Sequence, residues 1–486
     1  MSESELLDER TAAPTDRRVE TIRRWLPWVV AAALFMEHLD ATIVNTAVPT
    51  IASSLGVSPL SLKGLLASYT LSLAVFIPIS GWMADRWGTR RVFAAAIVVF
   101  LLGSICCGIS SNVPALILSR ILQGMGGAMM MPVGRLTLVR TFPRSEMIVA
   151  MNYVIIPALI GPLIGPSLGG AIVHWLHWRI IFLINIPIAL MGLYLVHRFM
   201  PDYRKESPAP LDFRGFLLFG SGTALISYVI EVFWEHVLPY STLAVLALLS
   251  FGLVGGYWAH SRRTPHPMFD LDVFRVRTFR LAVMGGFITR LGIGGMPFLL
   301  PLLYQVGLGF APWQAGLLTV PQAIAAMSMK AYSRYVLRRF GHRSVLMANT
   351  VLLGGTISLF ALVDRGTPIP ALLLLSFAQG FVSSLQFTSM NSLVFADVSD
   401  AEASNASSIS STAQQLSLSF GVAFASLIAE LFLANVNREI ANQVLPALHQ
   451  ALMVMGVLTA VSSVSFWGLH TRDGSAVSQY KPAEKS

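Results

Sequence analysis

The stretch MEHLDATIVN, residues 36–45, places Glu37, His38 and Asp40 inside an otherwise apolar run. On insertion scales a charged side chain at the bilayer centre costs about 2.5–3.5 kcal/mol. Such groups persist only where they face one another, water or a cargo. Glu37, Asp40 and Val44 share one helical face by their three- and four-residue spacing. His38 lies about 100° round from it. Farther along, Arg120 and Gln123 stand three residues apart in a second apolar run, and Arg290 interrupts a third. Buried carboxyls beside guanidinium groups are suited to binding and releasing protons. Burial disfavours a charged carboxyl, a nearby arginine favours it, and a conformational change that alters either effect moves a proton. Enzymatic signatures are missing: no HExxH, GxSxG or phosphate-binding loop occurs, so neither catalysis nor intrinsic ATP drive is expected. The two cysteines, Cys106 and Cys107, are adjacent in an apolar run and read as packing side chains. No catalytic residue, metal site or cofactor is expected.

Those residues need a scaffold, and the composition says which. The 486 residues are 54% hydrophobic and 12% charged, with a mean hydropathy of +0.65. Soluble domains carry about twice that share of charge. The chain therefore reads as an all-α polytopic membrane protein. Its net charge of +9 does not point to nucleic acid, because the basic residues cluster in short segments between apolar runs.

At about 20 apolar residues per crossing, spans fall near 27–48, 63–84, 91–110, 114–137, 148–173, 178–197, 215–233, 239–260, 281–304, 313–336, 344–363, 369–395, 404–433 and 448–469. The lysines and arginines test that reading. With a cytoplasmic N-terminus, only Lys63, Arg179, Arg365 and Arg438 of the 34 fall on the opposite side, and Arg120, Arg135, Arg290 and Lys330 lie within spans. Such a bias toward one side is the positive-inside rule, and a missed span would scramble it. Fourteen spans with both termini inside are expected.

The chain is also duplicated. PALILSRILQG (114–124) matches PALLLLSFAQG (370–380), and RWGTRRV (86–92) matches RFGHRSV (339–345). Both matches have nearly the same offset. The expected layout is a cytoplasmic tail at 1–26, a six-helix half at 27–200 and a linker at 201–214. Two inserted helices (215–260) and a second linker (261–280) follow, then a second six-helix half at 281–470 and a tail at 471–486. Parallel halves around a central path are a transporter architecture, with cargo held near the midplane.

Several strings carry a family likeness. GWMADRWGTRR (81–91) resembles the signature loop of the major facilitator superfamily, LSRILQGMGGAMMMP (118–132) its motif with a buried arginine, and IGPLIGPSLGG (160–170) the fifth-helix antiporter motif. LDATIVNTAVP (39–49) resembles the first-helix motif of fourteen-span drug:proton antiporters. The resemblance implies the major facilitator fold and names its residues. Gly81, Asp85, Arg86, Gly88, Arg90 and Arg91 form a gating motif, with Gly81 allowing close helix approach and Asp85 accepting from an arginine or a helix N-terminus. Gly161, Gly165, Pro166, Gly169 and Gly170 form the antiporter motif, from which Tyr153 departs where a further glycine is usual. Arg338 replaces the acid at the position matching Asp85.

Asp40 lies about eight residues from the outer end of its span and Arg120 about six from the outer end of its own; at 1.5 Å per residue these depths agree within a turn. Asp40, Glu37 and Arg120 are therefore the expected proton-coupling group. Arg290 is the repeat counterpart of Glu37 and is expected to face it across the path, together with Gln123, Asn45 and Met130. Arg135 and Lys330 are within reach of the cytoplasmic surface and expected to snorkel.

The expected function is proton-driven export of small molecules across a bacterial inner membrane. The alternative is export of organic anions or metal–carboxylate complexes, motivated by Arg120 and Arg290; a non-transporting sensor ranks below both for want of an output domain. The partners expected are a small-molecule substrate, protons and lipid, with no nucleic acid. A monomer is expected, and an efflux accessory protein is the one candidate protein partner. Reporter fusions after residues 205, 270 and 480 should all report a cytoplasmic location; a periplasmic signal at any one breaks the fourteen-span arrangement.

Overall fold

A computed structural model describes residues 14–143, 146–208, 210–233, 238–399, 402–433 and 441–480. The first 13 residues of the expected N-terminal tail, and Arg438, lie outside them. The described residues hold helices and turns but no strand. In chain order the long helices begin with α1 (Pro14–Ile43), α2 (Lys63–Trp87), α3 (Thr89–Ile109), α4 (Val113–Thr141), α5 (Met147–Trp175) and α6 (Asn185–Phe199). Next come α7 (Phe213–Val232), α8 (Tyr240–Ser261) and α9 (Arg277–Pro301). A 48-residue helix, Pro312–Leu359, follows, and then α12 (Ile369–Val394), α13 (Ala403–Leu433) and α14 (Ala441–Val461).

Thirteen stretches are long and apolar enough to cross a membrane among the described residues. The 48-residue helix accounts for two crossings. At 1.5 Å per residue it is about twice as long as a bilayer core is thick, and it breaks at Gly341, whose φ of 72° and ψ of 161° are not helical. Its parts, 312–340 and 342–359, are α10 and α11, which makes fourteen. Three boundaries differ most from expectation: α6 starts at Asn185, not near 178, α14 runs Ala441–Val461, not 448–469, and the first helix differs most. The first helix begins at Pro14, well before residue 27, and passes through Pro27. It breaks at Asn45–Ala47 before continuing as Val48–Ser54.

The repeat read from sequence appears as repeated packing. Helix α1 packs on α5, α4 on both α2 and α3, and α3 on α6. In the second half α9 packs on α13, α12 on the α10–α11 pair, and α11 on α14. Each contact maps onto its counterpart. The two sets of six then meet through a matching pair of contacts, α5 with α10 and α2 with α13. Helices α7 and α8 pack on each other, and α7 also touches α2 and α13. The turn before α7 is held by Asp212, which accepts from Gly215 N at 2.8 Å and Met268 N at 3.1 Å, and pairs with His260 Nε2 at 2.7 Å. Burial pushes the Asp212 carboxyl up, but these partners outweigh it and hold the carboxyl below its usual range.

The two matched RWG/RFG strings end in the same backbone feature. Gly88 has φ 97° and Gly341 has φ 72°, in the region open to glycine alone at low cost. At Gly88 a Cβ would strike the Asp202 carboxylate, and at Gly341 it would lie 3.0 Å from the Tyr480 ring. Gly81 behaves otherwise: it is exposed, with nothing within 4 Å of a Cβ. The expectation that Gly81 permits close helix packing is therefore corrected, since no neighbouring helix reaches it here. Gly88→Ala and Gly341→Ala should each cost about 1–3 kcal/mol and lower the apparent Tm of the purified protein, while Gly81→Ala leaves it unchanged.

Candidate functional site

Asp40 sits near the far end of α1, on the face turned toward α4 and α6. It is completely buried, and Arg120 of α4 is 1% exposed. Three donors converge on the carboxylate. Arg120 Nη1 donates to Oδ2 at 2.5 Å, while Gln123 Nε2 and Asn185 Nδ2 donate to Oδ1 at 2.8 and 2.7 Å. The same Arg120 Nη1 also donates to Gln123 Oε1 at 2.7 Å, and Nε donates to the Leu65 carbonyl of α2 at 3.3 Å. The guanidinium lies 4.4 Å from the centre of the Tyr69 ring. Asn185 gives its second amide hydrogen to Ser104 Oγ at 2.9 Å, and Ser104 donates to the Phe182 carbonyl at 2.8 Å. A buried carboxylate with three donors and a paired arginine meets the conditions under which burying charge is tolerable.

Sequence positions explain how the cluster is brought together. Arg120 and Gln123, one turn apart on α4, present to α1 together. On α5 the glycines expected as an antiporter motif lie against α1. A Cβ on Gly161 would come 2.8 Å from Leu39 N, one on Gly165 3.0 Å from Thr42 Cβ, and one on Gly169 2.9 Å from Thr46 Oγ1. Small residues thus let the α5 backbone approach the α1 segment that carries Asp40. Pro166 exposes a carbonyl that accepts from Thr46 Oγ1 at 2.9 Å. Gly170 faces α10 instead, where a Cβ would lie 3.0 Å from Trp313 Cα.

The remaining expected residues divide. Glu37 is buried one turn from Asp40 toward the termini; its nearest basic neighbour is His38 Nδ1, at 3.8 Å, and its Oε2 has no hydrogen bond. Tyr69 Oη is likewise buried and unbonded, and a Cβ at Gly127 would lie 3.0 Å from it and 3.6 Å from Glu37 Cγ. Arg290 does not meet Glu37. Its Nη2 donates to Asn391 Oδ1 at 2.8 Å, its guanidinium lies 5.3 Å from the centre of the Phe387 ring, and its Nε is unbonded. The expected cross-path pair is corrected on this point: repeat symmetry fixes equivalent positions on α1 and α9, but the Arg290 side chain is held by α12 of its own half. Met130 is fully buried in the apolar core of the first half and so lines no path. Gln123 belongs to the Asp40 cluster, and Asn45 is half-buried at the break after α1. Arg135 and Lys330 are exposed.

In the 81–91 loop, Asp85 accepts from Arg140 Nη2 at 2.8 Å and pairs with Lys205 Nζ at 2.6 Å. Arg86 and Arg91 are exposed, and Arg90 N donates to Asp202 Oδ1 at 3.0 Å. The segment 201–205 thereby straps the loop. Sequence reasoning missed Asn185, Ser104 and Tyr69. The available signal was Asn185 itself, a lone amide in the apolar FLINIP run at 182–187, where an unpaired polar group is costly.

The hydrogen bonds described between the two sets of six helices lie at the end away from both termini. Gln305 Nε2 donates to the Thr46 carbonyl at 2.9 Å, Ser419 Oγ to the Ala67 carbonyl at 2.9 Å, and Ser167 Oγ to the Gly316 carbonyl at 3.3 Å. These bonds hold the two sets together at that end.

Comparison with known proteins agrees with this fold. The sequence profile described as Major Facilitator Superfamily matches residues 30–329 and 282–485. Relatives named "Putative multidrug resistance protein MdtD" include one from Pectobacterium atrosepticum, 41% identical over 84% of this chain and 88% of that protein. Another, from Serratia proteamaculans, is 40% identical over 91% of this chain and 93% of its own. Among solved structures, a bacterial homologue of the human lysosomal transporter Spinster, inward-facing and unoccupied, superposes with a TM-score of 0.66 at 14% identity, covering 95% of this chain and 99% of that one. The nucleoside transporter NupG (D323A mutant) gives 0.64 at 14% identity, covering 91% and 98%. The chain is a multi-pass membrane transporter and belongs to the major facilitator superfamily.

Proposed function

We propose that the chain is a proton-driven exporter of the drug:proton antiporter type, in a bacterial inner membrane with both termini in the cytoplasm. The observation that carries this reading is the convergence of Arg120, Gln123 and Asn185 on one buried carboxylate. Three helices, α1, α4 and α6, are tied through the charge on Asp40. A proton arriving on Asp40 removes that charge and weakens each of the three bonds at once, because hydrogen bonds to ions are about twice as strong as neutral ones. The helices are then free to shift against one another, and loss of the proton draws them back. Such a site makes helix packing depend on protonation, which is what exchange of a proton for a cargo requires. Glu37, one turn nearer the termini, is the second acid of the relay in this reading. With the termini inside, the hydrogen bonds between the halves at the far end support reading this conformation as inward-facing, the state in which an exporter loads.

The test is transport into inverted membrane vesicles with and without an imposed pH gradient, against a panel of lipophilic cations and of carboxylates. Asp40→Asn should abolish gradient-driven uptake while leaving the protein inserted and monodisperse, because the amide keeps the shape and loses the titratable proton. Robust gradient-driven uptake by Asp40→Asn would sink the assignment.

A second reading of the cargo rests on Arg290. It is a deeply buried guanidinium with no ion pair among the described residues, and Gly286 leaves it room: a Cβ there would lie 2.9 Å from Nη1. An uncompensated buried cation is expensive unless an anion visits it. This favours a carboxylate-bearing small molecule over a lipophilic cation. Arg290→Ala should weaken competition by carboxylates by about tenfold or more, as loss of one buried charge partner implies, without moving the pH profile of transport; equal competition in the variant and the wild type would exclude it.

A further inference from the structure

Two buried polar groups beside the Asp40 cluster make no hydrogen bond, and they border the same point. Tyr69 on α2 is 1% exposed and Glu37 on α1 is 7% exposed. Neither the Tyr69 hydroxyl nor Glu37 Oε2 has a hydrogen-bond partner among the described residues. Both side chains lie against Gly127 of α4, where a Cβ would stand 3.0 Å from Tyr69 Oη and 3.6 Å from Glu37 Cγ. A larger residue at 127 would intrude on both. The two groups are chemical complements, since a phenol donates and a carboxylate only accepts. The ring of the same tyrosine belongs to the cluster: Arg120, whose Nη1 donates to Asp40 Oδ2, lies 4.4 Å from its centre. One side chain thus touches the partner of the first acid with its ring and stands beside the second acid with its hydroxyl.

We infer that Tyr69 couples the two acids, donating to Glu37 when that carboxylate is charged and released to do so when Asp40 is neutral. The inference rests on the proton-driven reading above and assigns the residue that links its two acids. While Asp40 is charged, Arg120 is held on it and against the Tyr69 ring, and the hydroxyl makes no bond to Glu37, as in this structure. A proton arriving on Asp40 removes the ion pair and loosens the hold of Arg120 on the ring. Tyr69 then turns its hydroxyl to Glu37 Oε2. A hydrogen bond to the charged form favours that form, so Glu37 gives its proton to the water on the termini side while Asp40 keeps the incoming one. Tyr69 retains its own proton throughout. The two acids then carry one proton between them, and buried charge is neither gained nor lost. The other charged or titratable groups near Glu37 are His38 on its own helix, at 3.8 Å, Arg120 on α4, and Lys330 on α10, whose charge reaches His38; α5 meets this stretch through Gly161.

Tyr69→Phe tests the coupling, because it keeps the ring against Arg120 and removes only the hydroxyl. Carbodiimides attack the protonated form of a carboxyl, so labelling of Glu37 in the full-length protein in lipid nanodiscs, read by mass spectrometry across pH, follows its protonation directly. Without the donor the charged form loses support, and the labelling midpoint of Glu37 should rise by about one to two pH units, the worth of one hydrogen bond to an ion. The acid limb of uptake into inverted vesicles should move the same way. Gly127→Ala, which keeps the hydroxyl but crowds it away from the acid, should also raise the Glu37 midpoint. A packing role alone predicts a lower Tm for Tyr69→Phe with the midpoint unmoved. That result, or a shift confined to Asp40, overturns the coupling and leaves the Asp40 assignment standing. Gradient-driven uptake that survives in Asp40→Asn overturns the proton-driven reading itself, whatever Tyr69→Phe does.

Discussion

The ion pair between Asp40 and Arg120 is the constraint around which the first half is arranged. Removing one partner of such a pair costs about 3–5 kcal/mol, because the other charge is left without compensation. The fold accordingly surrounds the pair with groups that satisfy it. Gln123 both donates to Asp40 and accepts from Arg120, Asn185 closes the remaining side, and the Tyr69 ring covers the guanidinium face. None of these partners is on α1. The first helix is therefore held by polar contacts from α4 and α6 and, on its opposite side, by the glycine-rich face of α5. Three of the bonds that fix the arrangement end on that carboxylate and draw strength from its charge.

The second half has the same packing but a different chemistry. The positions matching Arg120 and Gln123 are Ser376 and Gln379. Around them runs a neutral network: Asn349 donates to Gln386 at 2.9 Å, Gln386 to Thr350 at 2.7 Å, and Thr356 to Gln379 at 2.5 Å. Duplication preserved the backbone and let the side chains diverge. Among the described residues, the fully buried carboxylate–guanidinium pair belongs to one half, while the other carries a polar wall and the deeply buried Arg290.

How far the sequence could be read follows from this division. The Asp40–Arg120 meeting was legible, because depth along a helix is a matter of counting residues at a fixed rise. The glycines of α5 and the paired turns at Gly88 and Gly341 were legible because glycine marks close approach or positive φ. Asn185 was not: one amide in an apolar run carries no periodicity, and α6 shares no local spacing with α1. The Glu37–Arg290 pair was inferred from symmetry and does not form, since symmetry places Cα atoms while rotamers follow local partners. For Arg290 those partners were Asn391 and Phe387, about 100 residues away in sequence. The Ser419–Ala67 bond, farther still in sequence, could be seen only once α2 and α13 were known to touch.

The Asp40 cluster and the far-end contacts between the halves are joined by one helix. Arg120 bonds to the carbonyl of Leu65 and stacks on Tyr69, both on α2, and Ser72 of α2 donates to the Ile121 carbonyl at 2.8 Å. Ala67, whose carbonyl accepts from Ser419, stands two residues from Leu65. A change in the charge on Asp40 alters what Arg120 is held by, and Arg120 touches α2 within a turn of the residue that bridges the halves. Coupling over so short a path needs no long relay of side chains. It needs only that α2 has two arrangements, one favoured by a charged Asp40 and one by a neutral Asp40, since a ligand shifts an equilibrium by its differential affinity for the two states. The contacts supply a physical basis for both: α2 is bonded to α4 through Arg120, the partner of Asp40, and to α13 through Ser419, which donates to the Ala67 carbonyl at 2.9 Å.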